Sequence, residues 1–247
     1  MIRSLPKEIG EKLEGLPFYQ DDVGMSGAGI FIFDEMVLKI QKAGPEAVRE
    51  VHMLEWLQGR LPVPKVVAAS HEGSDHYLLM SRLPGEMACS PRNFQNLEAT
   101  VKALAKGLKL LWGINIEECP FVHDLGIKLE AANVEMLKGT ASAAMEGMYD
   151  FLQKNRPPED LVLTHGDYCL TNVFMEGGFV TGLIDLGRGG VADRWQDIAL
   201  CLRSLKFNCE KLGRGDFSDY KQLLLEELGV EPDEGKIRYY MLLDELF

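Results

Sequence analysis

Two carboxylates and one amide stand where apolar stretches of the chain end, and together they could support one reaction. Asp167 and Asn172 belong to the motif H-G-D-x-x-x-x-N, and Asp185 follows the next apolar stretch. This set supplies one base and two oxygen ligands, which is what magnesium-assisted phosphoryl transfer requires. We expect Asp167 to orient an attacking hydroxyl group and accept its proton. We expect Asn172 and Asp185 to bind Mg²⁺ on the phosphates of a nucleotide.

The same residues also have simpler interpretations. Asp and Asn side chains often cap turns, which would account for Asp167 and Asn172 taken singly. The addition of Asp185 at a strand end favours the catalytic interpretation. A metal-dependent hydrolase that uses His165 is disfavoured, because the other histidines form no set with ligand spacing. We interpret His165 as a structural hydrogen-bonding residue.

A lysine within an apolar stretch is the candidate phosphate anchor. Lys39 has apolar neighbours on both sides, so its charge must reach past the sheet edge or meet an anion. Glu50 on the following helix is the expected partner, and Glu46 and Glu55 are the alternatives. A lysine held by a helix glutamate could bind the α- and β-phosphates of ATP. The alternative is a solvated strand lysine without a ligand.

A glycine-rich segment at 22–29 precedes the first predicted hairpin. Its backbone N–H groups and Ser26 could cover phosphates. The segment matches neither the dinucleotide-binding nor the Walker pattern, and glycine clusters often only turn the chain. Alone, it is a weak indication of nucleotide binding.

The first third of the chain predicts a small sheet with one helix. A helix begins at Pro45, and Val48, Val51, Leu54 and Leu57 recur along it every three residues. The first two strands flank Asp34-Glu35 and form a hairpin, and residues 81–85 connect this part to the rest. The predicted strands are residues 29–33, 36–40, 65–69 and 76–80.

The remainder of the chain is predicted to be mostly helical. Short strands interrupt the helices, and the last two are joined by a tight turn at Gly177-Gly178. The predicted helices are residues 97–111, 124–138, 142–155, 193–206, 216–228 and 235–246. The predicted strands are residues 161–164, 173–175 and 179–184.

Composition and charge limit the class of protein. The 247 residues are 46% hydrophobic and 26% charged, with a net charge of −12. Such a chain can form a real core, and its charge disfavours nucleic acid and anionic membrane surfaces as partners. A cationic small-molecule partner is expected instead. Five scattered cysteines and the absence of a long apolar run predict a cytoplasmic protein, without disulfides, that is a monomer or a weak dimer.

These residues resemble one known family. Lys39, Glu50, H-G-D-x-x-x-x-N at 165–172 and I-D-L-G-R-x-G-x-A-D-R at 184–194 are similar to the aminoglycoside phosphotransferases, particularly the 3'-phosphotransferases or kanamycin kinases. The likeness covers nearly the whole chain. It departs at Phe207-Asn208, where that group carries an acidic pair.

The resemblance implies an α+β, bilobal, protein-kinase-like fold. Residues 1–82 would form the β-rich nucleotide-binding lobe with one main helix, and residues 83–247 would form the mostly helical catalytic and substrate-binding lobe. ATP would lie in the cleft, with adenine at the backbone around Ser81 to Leu83 and with Met25-Ser26 in the nucleotide loop.

The resemblance also implies roles on the substrate side. Arg188 matches the arginine that follows the metal-binding aspartate, and Asp197 would brace the catalytic loop. Asp244, Glu245 and the carboxylate of Phe247 would bind the ammonium groups of an aminoglycoside.

The expected reaction is phosphorylation of the 3'-hydroxyl of an aminoglycoside such as kanamycin, which confers resistance. Two alternatives are a kinase of another small alcohol on the same fold and a non-catalytic nucleotide-binding module. The sequence leaves open the regiochemistry, the antibiotic range and the choice of ATP or GTP.

Overall fold

The computed structural model describes residues 5–21, 27–137, 142–213 and 216–247. A β-sheet region comes first and a helical region follows, as the sequence predicts. The helices are α1 (Lys7–Leu13), α2 (Pro45–Leu57), α3 (Leu97–Trp112), α4 (Leu125–Glu135), α5 (Ala143–Lys154), α6 (Arg194–Leu212), α7 (Phe217–Leu228) and α8 (Glu234–Asp244). The strands are β1 (Tyr19–Asp21), β2 (Gly29–Ile32), β3 (Met36–Lys42), β4 (Val66–Glu72), β5 (Asp75–Ser81), β6 (Glu86–Met87), β7 (Leu161–Thr164), β8 (Val173–Glu176), β9 (Phe179–Leu183) and β10 (Gly190–Asp193).

The N-terminal sheet is antiparallel, with strand order β1-β2-β3-β5-β4. The predicted hairpin is confirmed as β2 and β3, and Ile32 pairs with Val37 across its turn. Successive side chains of a strand point to opposite faces. Leu38 therefore belongs to a small core that α1 covers, while Lys39 faces the other side. The sequence analysis did not predict α1.

Helix α2 carries the glutamate of the predicted ion pair on its buried face. Pro45 occupies the first turn, where its missing N–H costs no hydrogen bond. The predicted apolar face is partly wrong, because Val48 is 48% exposed whereas Glu50 is 1% exposed. The helix is rotated so that Glu50 points inward with Met53 and Leu57. The pairing of Glu50 with Lys39 across the sheet accounts for that rotation.

The C-terminal region is built on one large core. Helix α3 packs against α7 and β7, and α6 packs against α8. Helix α6 begins where the Asp193 side chain accepts a hydrogen bond from the backbone N–H of Trp195 at 3.1 Å. It ends at Leu212, and the following Gly213 has a φ of 60°, a left-handed conformation that residues with a side chain rarely adopt. The helix therefore extends six residues beyond the predicted end at residue 206.

Two small sheets flank the segments that carry Asp167, Asn172 and Asp185. Strand β7 pairs with β10, which the sequence analysis did not predict, and β6, β8 and β9 form the other sheet. The predicted turn at Gly177-Gly178 is confirmed by φ angles of 58° and 81°. The Ile184 N–H donates to the Asn172 carbonyl at 3.0 Å, which brings the two motif segments together.

The division of the chain at residue 82 stays a prediction. Strand β5 ends at Ser81, and β6 already pairs with β8 of the C-terminal region. In the part of the chain that the structure describes, no helix is long and apolar enough to cross a bilayer.

Two helical glycines should respond in opposite ways to alanine. A Cβ on the buried Gly107 of α3 would lie 2.2 Å from the Tyr168 hydroxyl oxygen, whereas a Cβ on the exposed Gly147 of α5 would meet nothing within 4 Å. Glycine in a helix interior costs about 1 kcal/mol relative to alanine. Gly147→Ala should therefore raise the free energy of unfolding by up to about 1 kcal/mol, and Gly107→Ala should lower it by about 1–3 kcal/mol. Urea unfolding measures both, and a stabilised Gly107→Ala variant would contradict the packing.

Candidate active site

The loop after β7 is fixed by its backbone. The carboxylate of Asp197, on the first turn of α6, accepts hydrogen bonds from the N–H groups of His165 at 2.6 Å and Gly166 at 2.9 Å. Gly166 has a φ of 87°, and a Cβ there would lie 2.0 Å from the Arg188 carbonyl oxygen. Only glycine allows this close approach. The loop that carries Asp167 is thus held between α6 and the segment after β9.

His165 is buried, and its ring contacts residues of its own loop. Its Nδ1 accepts a hydrogen bond from the Asp167 N–H at 3.3 Å, and its Nε2 has no partner among the described residues. Its ring lies edge-on to Tyr168, with the ring centroids 5.8 Å apart. These contacts agree with the interpretation of His165 as a structural residue.

The Asp167 carboxylate is half-buried and is held at both oxygens. The side-chain amide of Asn172 donates to Oδ2 at 3.0 Å, and the Cys169 thiol donates to Oδ1 at 2.9 Å. The amide nitrogen of Asn172 also donates to the Asp167 carbonyl at 3.0 Å. Because its nitrogen is turned toward Asp167, the Asn172 Oδ1 is turned away and can serve as an oxygen ligand.

Lys39 brings the N-terminal sheet to the motif residues. Its amine lies 2.8 Å from Glu50 Oε2 and 2.9 Å from Asp185 Oδ1. Of the three candidate glutamates, Glu50 is therefore the partner. Burial alone would lower the pKa of Lys39, but the charges of Glu50 and Asp185 outweigh it and raise that pKa. The amine is therefore protonated and positioned to bind anionic oxygens.

Asp185 has an unusual backbone. Its φ of 62° and ψ of 52° are left-handed, and it is the only residue other than glycine with positive φ among those that the structure describes. Such a conformation is rare for side chains and tends to occur at functional sites. Lys39 binds Oδ1, and the Asp185 side chain is 33% exposed. The other carboxylate oxygen of Asp185 is therefore available to a ligand.

The predicted metal ligands suit magnesium. Among the residues described, no group of three or more His, Cys, Asp or Glu side chains could hold a metal ion. Asn172 and Asp185 offer an amide oxygen and a carboxylate. Mg²⁺ is bound by such hard oxygen donors, usually one or two carboxylates completed by substrate phosphates and water. The donor set therefore fits Mg²⁺ bound together with a nucleotide.

The predicted substrate-binding Asp244 is already paired with two arginines. Its carboxylate lies 2.6 Å from Arg188 and 2.7 Å from Arg203 of α6. Glu245 and Phe247, which follow it, are exposed. Arg203 was not among the predicted site residues, because its pairing with Asp244 depends on how α6 and α8 pack.

The predicted nucleotide contacts are only partly within the described residues. Ser81 ends β5, and its hydroxyl accepts a hydrogen bond from the Lys65 N–H at 2.9 Å. The side chain of Leu83 packs against Gly182 of β9. Leu83 therefore lies where the two regions of the chain meet. Met25 and Ser26 lie outside the described residues.

A lysine that the sequence analysis missed lies beneath the loop. The amine of Lys128 in α4 is buried and donates to the side-chain carbonyl of Gln196, whose amide nitrogen donates to the Gly166 carbonyl at 3.1 Å. Burial and, secondly, Arg188 lower the pKa of Lys128 to about 7. Burial also lowers the pKa of the nearby His123 to about 4. No sequence signal marks Lys128, because α4 is only weakly amphipathic.

Comparison with known proteins gives consistent matches. The profile of a phosphotransferase enzyme family matches residues 24–237. An aminoglycoside 3'-phosphotransferase of Niallia circulans is 36% identical, and the match covers 99% of this chain and 98% of that protein. The crystal structure of a type VIII aminoglycoside-3'-phosphotransferase is 31% identical, covers 97% of both chains and has a TM-score of 0.84. A Streptomyces rimosus aminoglycoside phosphotransferase in complex with ADP and streptomycin shares the fold, with 23% identity, coverage of 91% and 94%, and a TM-score of 0.71.

The buried amine of Lys128 predicts a pH-dependent stability. Its pKa is about 7 in the folded chain and about 10.4 in an unfolded chain. Between these values the unfolded chain binds the extra proton, so stability should rise with pH in that window and this contribution should be constant below pH ~6. In Lys128→Met this contribution is absent. The free energy of unfolding of the wild type should therefore rise relative to Lys128→Met, by up to ~1.4 kcal/mol per pH unit. Parallel curves from urea titrations at pH 6 to 9.5 would contradict the burial of the amine.

Proposed function

Because the chain belongs to the phosphotransferase enzyme family, we propose that its cleft transfers the γ-phosphoryl group of ATP to a hydroxyl group of an aminoglycoside antibiotic. The acceptor is the 3'-hydroxyl, and the modification confers resistance. One observation carries the proposal. The ion pair between Lys39 and Asp185, at 2.9 Å, joins residues 146 positions apart and brings the proposed anchor next to a proposed metal-binding carboxylate. The hydrogen bond from the Ile184 N–H to the Asn172 carbonyl adds the segment that carries the proposed base.

Asp167 is the proposed catalytic base. Its carboxylate orients the acceptor hydroxyl for in-line attack and takes its proton, so no phosphoenzyme is needed. The hydrogen bonds from Asn172 and Cys169 hold the carboxylate before the substrate arrives. Each oxygen keeps a second lone pair for the substrate hydroxyl.

Lys39 is the proposed phosphate anchor, and Glu50 holds it. The Glu50 side chain is buried and also accepts a hydrogen bond from Gln41 at 3.2 Å. The anchor lysine can therefore exchange Asp185 for phosphate oxygens while its contact with Glu50 persists. The backbone between Ser81 and Leu83 is proposed to bind adenine, and Met25 and Ser26 are proposed to contribute to the nucleotide loop.

Asn172 and Asp185 are the proposed ligands of Mg²⁺. When bound, Mg²⁺ would neutralise charge on the nucleotide phosphates. The residues themselves orient the site: Asn172 positions Asp167 with its nitrogen, and Asp185 positions Lys39 with one of its oxygens.

Glu245 and Phe247 are the proposed contacts to substrate ammonium groups, with Asp244 and Arg188 beside them. The double pairing of Asp244 reduces the charge it can offer to a polycation. Together with the exposed Phe207 on α6, it supports a second candidate function, the phosphorylation of a less cationic alcohol. Turnover of a neutral or monocationic alcohol with none on any aminoglycoside would favour that candidate.

The primary test is phosphorylation of kanamycin. Purified protein with Mg-ATP and kanamycin should release ADP and form kanamycin 3'-phosphate, which NMR identifies. Asp167→Ala should lower kcat by about 10²–10⁴-fold, the usual contribution of a general base. Asp219→Ala removes an exposed carboxylate on α7 and should leave kcat unchanged. The absence of turnover across an aminoglycoside panel would defeat the assignment.

A second test concerns the metal. Asp185→Asn removes a metal-binding carboxylate, so the Mg²⁺ concentration that gives half-maximal rate should rise at least about tenfold. The matched control is Asp75→Asn, because Asp75 also pairs with a lysine, Lys42, at 2.8 Å but on an exposed strand end. Initial rates over a Mg²⁺ series at fixed ATP measure both. An unchanged requirement in Asp185→Asn would exclude Asp185 as a ligand.

A further inference from the structure

A cysteine lies within the catalytic loop, directly against the proposed base. Cys169 Sγ is 2.9 Å from Asp167 Oδ1. An ionised carboxylate can only accept hydrogen bonds, so the thiol must be the donor. Cys169 is half-buried between the fully buried Tyr168 and Leu170, which point into the core. The thiol therefore lies on the same side of the loop as the Asp167 carboxylate.

With the thiol contact, each oxygen of the Asp167 carboxylate accepts one hydrogen bond. Asn172 donates to Oδ2 and Cys169 donates to Oδ1, at 3.0 Å and 2.9 Å. One donor alone would leave the carboxylate free to rotate about its terminal torsion, which has a broad energy minimum. Two donors on different oxygens fix the plane of the carboxylate. The direction of the lone pairs that receive the substrate proton is fixed with it.

A cation lies near the sulfur. Burial and, secondly, the charge of Asp167 raise the pKa of Cys169, whereas the charge of Arg203 acts in the opposite direction. Arg203 also forms an ion pair with Asp244 at 2.7 Å. The surroundings of the thiol therefore include a guanidinium that is itself held at the end of α8.

We propose that Cys169 is a positioning residue for phosphoryl transfer, whose thiol hydrogen bond fixes the Asp167 carboxylate in the orientation that accepts the acceptor hydroxyl proton. The inference rests on the proposed function in that Asp167 is the base. It adds a role for a side chain that the phosphotransfer chemistry does not itself require.

The kinetic test compares three variants. Cys169→Ala should lower kcat about 5- to 10-fold, as expected for losing one ordinary hydrogen bond, because a thiol is a weak donor. The KM values for kanamycin and ATP should stay within about twofold of wild type because ground-state binding is retained. Cys169→Ser keeps a donor and should recover at least half of the lost kcat. Cys119→Ala is the matched control, because Cys119 is also half-buried but donates to the Phe121 carbonyl at 3.4 Å. It should keep the wild-type kcat.

A spectroscopic test needs no acceptor substrate. The infrared S–H stretching band of Cys169, isolated as the difference between wild type and Cys169→Ala, should lie at the low frequency of a strongly hydrogen-bonded thiol. The same difference taken in an Asp167→Ala background should move to higher frequency. Unfolding temperatures of all variants identify any that fail to fold.

The outcomes separate the two ideas. A band that does not move when Asp167 is removed, or equal kcat losses in Cys169→Ala and Cys169→Ser, would overturn the positioning role. An unchanged kcat in Cys169→Ala would also overturn it. Lack of wild-type turnover on aminoglycosides would instead overturn the proposed substrate, and the infrared band would still decide whether the thiol holds Asp167.

Discussion

A buried ion pair, Lys39 with Glu50, and the half-buried carboxylate of Asp185 hold the parts of the site in one place. Lys39 is 5% exposed and Glu50 is 1% exposed, and both charges have left water. A buried charge is strongly unfavourable unless an opposite charge and hydrogen bonds compensate it. Lys39 therefore has to meet both Glu50 and Asp185, and β3, α2 and the end of β9 must converge on its amine. The sheet region and the helical region are aligned by this requirement.

The catalytic loop, in contrast, is fixed mainly through its backbone. Asp197 accepts two N–H groups from the start of the loop, and Gln196 donates to the Gly166 carbonyl. Along the loop, buried and half-buried side chains then alternate, with Tyr168 in the core and Asp167 toward the cleft. The buried side chains fix how far the loop lies from the core, and the backbone hydrogen bonds fix the path of its main chain. Side chains on the cleft side are thereby left available for chemistry.

Local signals predicted much of this arrangement. The strands and the residues at their ends could be read from apolar stretches, and H-G-D-x-x-x-x-N identified the loop. Glu50 was the expected partner of Lys39, but deciding between it and the alternatives Glu46 and Glu55 required the rotation of α2, because that rotation is set by the buried pair and not by the apolar pattern. Strand β10 was missed because its pairing with β7 is non-local. The double pairing of Asp244 depends on how α6 and α8 pack, which no local pattern contains.

The net charge of the chain does not predict the electrostatic environment of the loop that carries Asp167. The chain carries a charge of −12, yet Lys128, Arg188 and Arg203 gather around the catalytic loop. The pKa of Lys128 is lowered by burial and then by Arg188, so the nearest charges and the loss of solvent outweigh the distant acidic surface. Asp244 balances two of these cations. An ammonium group that approaches Asp244 must therefore compete with guanidinium groups already in place. Glu245, exposed beside it, forms no ion pair within the described part of the chain. Under the proposed function, substrate recognition should then depend more on the exposed end of α8 than on the Asp244 carboxylate.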